Sequence, residues 1–179
     1  MKDRNPPIKV LSLFFIDRVD NYRIYNDNGA YNKGKDAVLF EELFKKIIME
    51  DQYKDLRTNI SDIEKYTEEV HHGYFSQDKA GRKDVKFVET STGNAASDDY
   101  AYELIMKDKE RLLSFDTNLK FIFSHSALRE GWDNPNVFQI CTLNETYSDI
   151  KKRQEIGRGL RLAVNQDGER QHGFDINTL

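Results

Sequence analysis

Two hydrophobic rhythms alternate along the chain. "IKVLSLFFI", Ile8 to Ile16, is an unbroken apolar run that follows Pro6-Pro7 and ends in the polar "DRVDN". Such a run suits a strand covered on both faces, as in a parallel sheet. From Asp36 to about Arg57, Val38, Leu39, Leu43, Phe44, Ile47 and Ile48 recur at helical spacing. A weaker helix is expected from Ser61 to about Tyr66, and "EVHHGYFS" is a short candidate strand. Asp98 or Asp99 can cap the next helix, with Tyr102, Leu104, Ile105, Leu112 and Leu113 among its apolar positions. "KFIFSH" and "NVFQICTL" read as further buried strands, and "SDIKKRQEIGRGLRL" as a helix from Ser148 or Asp149 to about Gly159. "NDNGAYNKGKD" reads as a loop, residues 77–99 as an inserted surface loop with a short strand at Val85 to Val88, and Gly168 and Gly173 as turns. Strands alternating with helices predict an α/β fold, a mainly parallel sheet sandwiched between helices. Ile8–Ile16, Lys120–Ser124 and Val137–Leu143 are its expected inner strands.

Composition narrows the class. A length of 179 residues fits one α/β domain, and 38% hydrophobic residues can build its core. A net charge of −4 excludes a generally basic coat but leaves room for a local basic strip. The single cysteine, Cys141, permits no intrachain disulfide and fits a reducing cytoplasm. No apolar run approaches the roughly 18 residues that span a bilayer. The N-terminus lacks the apolar centre of a signal peptide. The expectation is a soluble cytoplasmic protein with no membrane partner. His71, His72, His125 and His172 lack metal-ligand spacing, so no metal site is expected in the chain itself. Asp17, Asp98 and Asp99 are explained as caps and loop ends.

Chemistry concentrates in the last third. Ligands of parallel sheets bind beyond the carboxyl ends of the strands, so Ser124 to Pro135 is expected on that face. In "ALREGWDNPNV", Gly131 permits a backbone shape closed to other residues, and Asp133 can accept from a ribose hydroxyl or meet a cation. Gly-x-Asp-x-Pro is also an ordinary turn. Trp132 can pack that turn or stack on a base. In "RQEIGRGLRL", Gln154, Gly157, Arg158 and Arg161 form Gln-x-x-Gly-Arg-x-x-Arg. On a helix the two arginines share a face. Two guanidiniums facing one way repel unless an anion sits before them, and their planar forks match phosphate oxygens.

These stretches resemble motifs V and VI of superfamily 2 helicases and translocases. "IKVLSLFFID" resembles the motif IV strand of the same second RecA-like lobe, and "VHHGYFS" stands where that family has a His-Gly strand end. "FIFSHSALREGWDNPNVFQICTL" followed by "RQEIGRGLRL" looks like the Res subunit of type III restriction-modification enzymes. The resemblance covers nearly the whole chain and is most specific in its last third. It implies a P-loop NTPase-related second motor lobe. Motif VI then reaches ATP and Mg2+ held by a first lobe, with Arg161 as arginine finger, Arg158 at the γ-phosphate and Gln154 and Gly157 at the nucleotide. Gly131 and Asp133 lie near the ribose. Ser124, His125 and Ser126 stand where the family meets the DNA backbone. Many relatives carry Thr-Asp at the places of His125 and Ser126, and an arginine at that of Glu130.

The chain has no Gly-x-x-x-x-Gly-Lys-Ser/Thr and no Asp-Glu-x-His type Mg2+ motif. It is therefore expected to be a single lobe, 1–179, of a longer protein, inactive in isolation. Its partners would be DNA, the first RecA-like lobe and a nuclease domain of the parent chain, and a modification methyltransferase (Mod) subunit. The alternatives are the same lobe in a repair or type I restriction helicase, or a non-catalytic nucleic-acid-binding α/β module.

Overall fold

A computed structural model describes residues 7–26, 30–75, 102–125, 134–143 and 163–170. Strand β1, Leu11–Phe15, runs at the centre. Its apolar side chains point both ways. Leu11, Leu13 and Phe15 join one core cluster, while Phe14 and neighbouring Ile16 join another. β1 pairs in parallel with β5, Phe121–Ser124, and with β6, Val137–Thr142. β4, His71–Tyr74, pairs in parallel with β5, giving the order β4-β5-β1-β6. The expected parallel α/β arrangement is met.

Helices cover both faces of this sheet. Helix α1, Lys35–Ile48, lays Ala37, Phe40 and Phe44 toward an aromatic layer. Phe40 meets Phe121 at 5.1 Å and Phe123 at 5.4 Å between ring centroids, and Phe14 stacks on Phe123 at 4.7 Å. On the other face a π-helical turn, Glu103–Lys107, buries Leu104 and Ile105, and the short helix Lys109–Leu113 buries Leu112 against Leu13 and Ile122. Asp108 ends the turn and caps that helix by accepting from the Arg111 amide at 3.0 Å, so the expected single helix is two pieces.

Among the described strands β6 has β1 on one side, and what lies on its other side falls outside the described residues. Three further expectations are corrected. The helix expected to reach Arg57 ends at Ile48, and a 3-10 turn and a one-turn helix, Lys54–Arg57, continue the chain. The weaker helix runs Ile63–Glu69, starting and ending later than expected, with Asp62 accepting from the Lys65 amide at 3.1 Å. The stretch read as a loop, residues 26–36, holds strand β3 at Tyr31–Lys33, which pairs antiparallel with β2 at Arg23–Tyr25 just before it. The strands are polar, which hid them. The Arg23 guanidinium on the Tyr31 ring, 4.4 Å from its centre, supplies contact that apolar alternation would otherwise signal. The insertion at 77–99 and the caps Asp98 and Asp99 lie outside the described residues.

Candidate functional site

Because the four strands run parallel, their carboxyl ends share one edge. Tyr74, Ser124, Phe15 and Thr142 stand there in register. The Ser124 carbonyl accepts from the Ile16 amide at 2.9 Å, and the Phe15 carbonyl accepts from the Leu143 amide at 2.7 Å. The Ser124 side chain is fully buried, and its Oγ has no hydrogen-bond partner among the described residues. His125 follows, half-buried. Exposed Asp17 lies beyond β1 and accepts from Asn21 Nδ2. Burial raises the Asp36 carboxyl above the usual range; Asp17 adds to this and Lys35 opposes it.

The amino edge is built differently. Asn136, fully buried just before β6, gives its carbonyl to the Leu11 amide at 2.8 Å. Its side chain grips Val164 twice. Oδ1 accepts from the Val164 amide at 2.7 Å, and Nδ2 donates to the Val164 carbonyl at 2.8 Å. Asn134 Oδ1 accepts from the Asn136 amide at 3.0 Å and shapes the Asn-Pro-Asn turn. Val164 pairs with Arg170 across a turn in which Gly168 has φ +80°. Gln166 ties that turn to the end of the Lys109–Leu113 helix, donating to the Leu113 carbonyl at 2.8 Å and accepting from the Phe115 amide at 3.2 Å.

Lys9 completes this edge. Its Nζ donates to the carbonyls of Ser114 at 2.9 Å and Thr117 at 2.8 Å and to Thr117 Oγ1 at 2.6 Å. Three ammonium donors thus meet three acceptors. Burial pushes the Lys9 pKa down to about 7; Lys120 adds to this and Asp116 opposes it.

A third polar cluster joins β4 to the hairpin and α1. Tyr22 Oη is 2.7 Å from His71 Nδ1, and His71 Nε2 is 3.1 Å from Glu41 Oε1. Lys33 Nζ lies 2.8 Å from the same Glu41 oxygen and 3.0 Å from Glu68 Oε1. Burial pushes the His71 pKa down to about 4, against the raising effect of Glu41. A neutral ring that donates from Nε2 to the carboxylate accepts from the tyrosine hydroxyl at Nδ1, a tautomer assigned from these partners. The cluster lines a cavity of about 330 Å³ shared with Arg23 and His72. Among the described residues, no three His, Cys, Asp or Glu side chains converge as a metal site would require.

The sequence-derived candidates divide accordingly. Ser124 and His125 lie at the carboxyl edge. Pro135 lies just before β6 at the amino edge, so the stretch from Ser124 to Pro135 does not stay on one face. The reason is topological: β5 and β6 are both parallel to β1, so the connection must return along the sheet. Ser126, Gly131, Asp133, Gln154, Gly157, Arg158 and Arg161 lie outside the described residues. Reading along the sequence missed Lys9, Asn136, Gln166 and the His71 cluster. Their partners are far away in the chain, and only the Asn-Pro-Asn turn gave a local hint.

No protein-family profile matches the chain. Three curated proteins are similar to it, all Res subunits of type III restriction-modification enzymes. The EcoPI Res subunit of Escherichia phage P1 is 43% identical over 169 residues, 91% of this chain and 16% of that protein. The EcoP15I Res subunit of Escherichia coli is 43% identical over 170 residues, again 91% and 16%. The StyLTI Res subunit of Salmonella typhimurium is 37% identical over 187 residues, 93% and 17%. The chain is a relative of one segment of type III Res subunits. It spans only about a sixth of their length. A match over 91% of 179 residues leaves about 16 unmatched, fewer than follow Leu162, so the matched region includes both motif stretches. No helix among the described residues is long and apolar enough to cross a membrane.

Proposed function

We propose that this chain is the second RecA-like motor lobe of an ATP-dependent DNA translocase of the type III restriction class, working in the cytoplasm. Its motif V and motif VI would face ATP and Mg2+ bound by a first lobe. Arg161 acts as the arginine finger and Arg158 meets the γ-phosphate. Gln154, Gly157, Gly131 and Asp133 line the nucleotide site. Ser124, His125 and Ser126 lie along the DNA backbone. The partners are DNA, the first lobe and nuclease domain of the parent chain, and the Mod subunit.

The observation that carries this reading is the 43% overall identity to Res subunits over a region that spans 91% of the chain. The parallel sheet with helices on both faces supports it. The chemistry is coherent. Phosphoryl transfer needs positive charge at the γ-phosphoryl group as charge redistributes, and an arginine finger contributes about 10³–10⁵ in rate. A finger supplied by a second lobe makes hydrolysis depend on lobe closure, which couples it to movement on DNA. The isolated chain, without phosphate loop or Mg2+ carboxylates, should not turn over ATP.

The test is Arg161→Ala in the full-length protein. The expected result is a fall in kcat of roughly two or more orders of magnitude, with a much smaller loss of ATP affinity and near-normal melting. ATP-driven DNA cleavage should disappear while nucleotide-free DNA binding survives. Normal turnover by the variant would make the finger assignment wrong, and an unfolded variant would make Arg161 structural.

A further inference from the structure

We propose that Asn136 is a positioning residue for the arginine motif, acting through its two-bond grip on Val164. The proposal rests on the reading of Arg161 given above. In sequence, Asn136 stands three residues after Asp133, and Val164 stands three residues after Arg161. One buried side chain therefore joins the chain just past the glycine turn to the chain just past the arginines, across 28 residues.

The choice of residue is specific. A primary amide offers both a donor and an acceptor, and Asn136 uses one of each on the two backbone groups of Val164. Its own backbone is held by β1 through the Leu11 amide. The grip therefore refers Val164 to the central strand of the sheet. On the far side of the turn, Gln166 fixes the same segment to Leu113 and Phe115. Ala163, fully buried with Ile8, closes the remaining side. Residues 163–170 are thus held from three directions, and Arg161 lies two residues before them in sequence. Placement errors of about 1 Å at reacting groups can cost ~10²-fold in rate, so such an anchor matters most for an arginine that acts in the transition state.

The experiment compares Asn136→Ala, Arg161→Ala and the double variant in the full-length protein. Two readouts are needed: ATP turnover, and hydrogen–deuterium exchange of the peptide covering residues 163–170. Asn136→Ala should speed exchange in that peptide by about tenfold or more, with the β1 and β5 peptides unchanged. It should lower kcat by roughly tenfold to a hundredfold with the KM for ATP nearly unchanged. The double variant should turn over no more slowly than Arg161→Ala alone, because an anchor has nothing left to position once the finger is gone. If Asn136→Ala does not fold, Asn136→Ser, which cannot bond both Val164 groups, carries the same comparison.

The failures are distinguishable. Normal turnover by Arg161→Ala overturns the motor reading itself. An inactive Arg161→Ala beside an Asn136→Ala that loosens 163–170 yet keeps its kcat overturns only the positioning role. A change in KM alone, or a further loss in the double variant, does the same, since either marks Asn136 as merely structural. Unchanged exchange in 163–170 would mean that the grip does not hold that segment.

Discussion

The two edges of the sheet differ in how their buried polar groups are satisfied. At the amino edge the buried Lys9 and Asn136 bind partners far away in sequence, and buried His71 at the start of β4 does the same. Among the described residues of this edge, Asn134 Nδ2 is left without a partner. At the carboxyl edge Ser124 Oγ is buried and has no partner among the described residues. Buried polar groups in folded proteins are normally paired, so an unpaired one calls for an explanation. A saturated edge anchors. Under the proposed function, the Ser124 hydroxyl at the carboxyl edge would be left to meet the DNA backbone, and the comparison between the edges turns on that expectation.

The largest expected effect is on the anchoring side. Lys9→Ala removes the donor for two carbonyls, and each buried acceptor left unpaired costs about 1–3 kcal/mol. With the aliphatic stem also lost, the destabilisation should be about 4 kcal/mol in urea unfolding at pH 7. The effect should depend on pH. The folded-state pKa of Lys9 is about 7 against 10.5 unfolded, so between these values the unfolded chain binds more protons. Native stability from this group therefore rises as pH climbs from 7 toward 10.5, and the variant should lose that slope. A variant as stable as the native chain would break the assignment of this edge to anchoring.

His71 should give the next largest effect. Its pKa falls from 6.5 to about 4 on folding, chiefly by burial. Between those values the unfolded chain takes up a proton that the folded chain refuses. Stability is therefore full above pH 6.5 and falls as acid approaches pH 4, by a total of about 3 kcal/mol. Unfolding curves at pH 7, 5.5 and 4.5 measure the slope, and His71→Gln should flatten it. An equally steep slope in that variant would move the acid sensitivity to another group.

These partners explain what could be read along the chain and what could not. β1 and β5 were legible because Leu11–Phe15 and Phe121–Ser124 are short apolar runs buried on both faces. The existence of α1 was legible from its period, but its phase was not. Leu39 and Leu43 are 53% and 46% exposed, while Phe40 and Ala37, one or two positions away, face the sheet. The helix carries two apolar stripes, and spacing alone does not say which is buried. The hairpin was hidden because Tyr22 reaches His71, 49 residues on, and Arg23 leans on Tyr31. At the candidate site, Ser124 and His125 were legible as the end of a buried strand, and the arginines as a motif. The Asn136–Val164 grip was not, since an asparagine in an Asn-Pro-Asn turn reads as turn chemistry until its distant partner is known.

The smallest expected effect on stability belongs to the carboxyl edge, and it is the most discriminating. Ser124→Ala removes a hydroxyl that has no partner among the described residues, so no acceptor or donor there is orphaned by its loss. The change should lie within about 0.5 kcal/mol of neutral, or be slightly stabilising, because an unsatisfied buried hydroxyl is itself costly. If that hydroxyl serves a phosphate oxygen when DNA is present, the same variant of the full-length protein should bind DNA more weakly. The loss should be similar for unrelated sequences, since phosphate contacts position the duplex without reading it. Titrations at two salt concentrations, beside a melting curve, separate the cases. A stable variant with weakened, sequence-independent binding fits an edge left open for a ligand. A stable variant with unchanged binding removes the Ser124 hydroxyl from the DNA contact. A variant destabilised as much as Lys9→Ala would mean that Ser124 anchors too, and the contrast between the two edges would disappear.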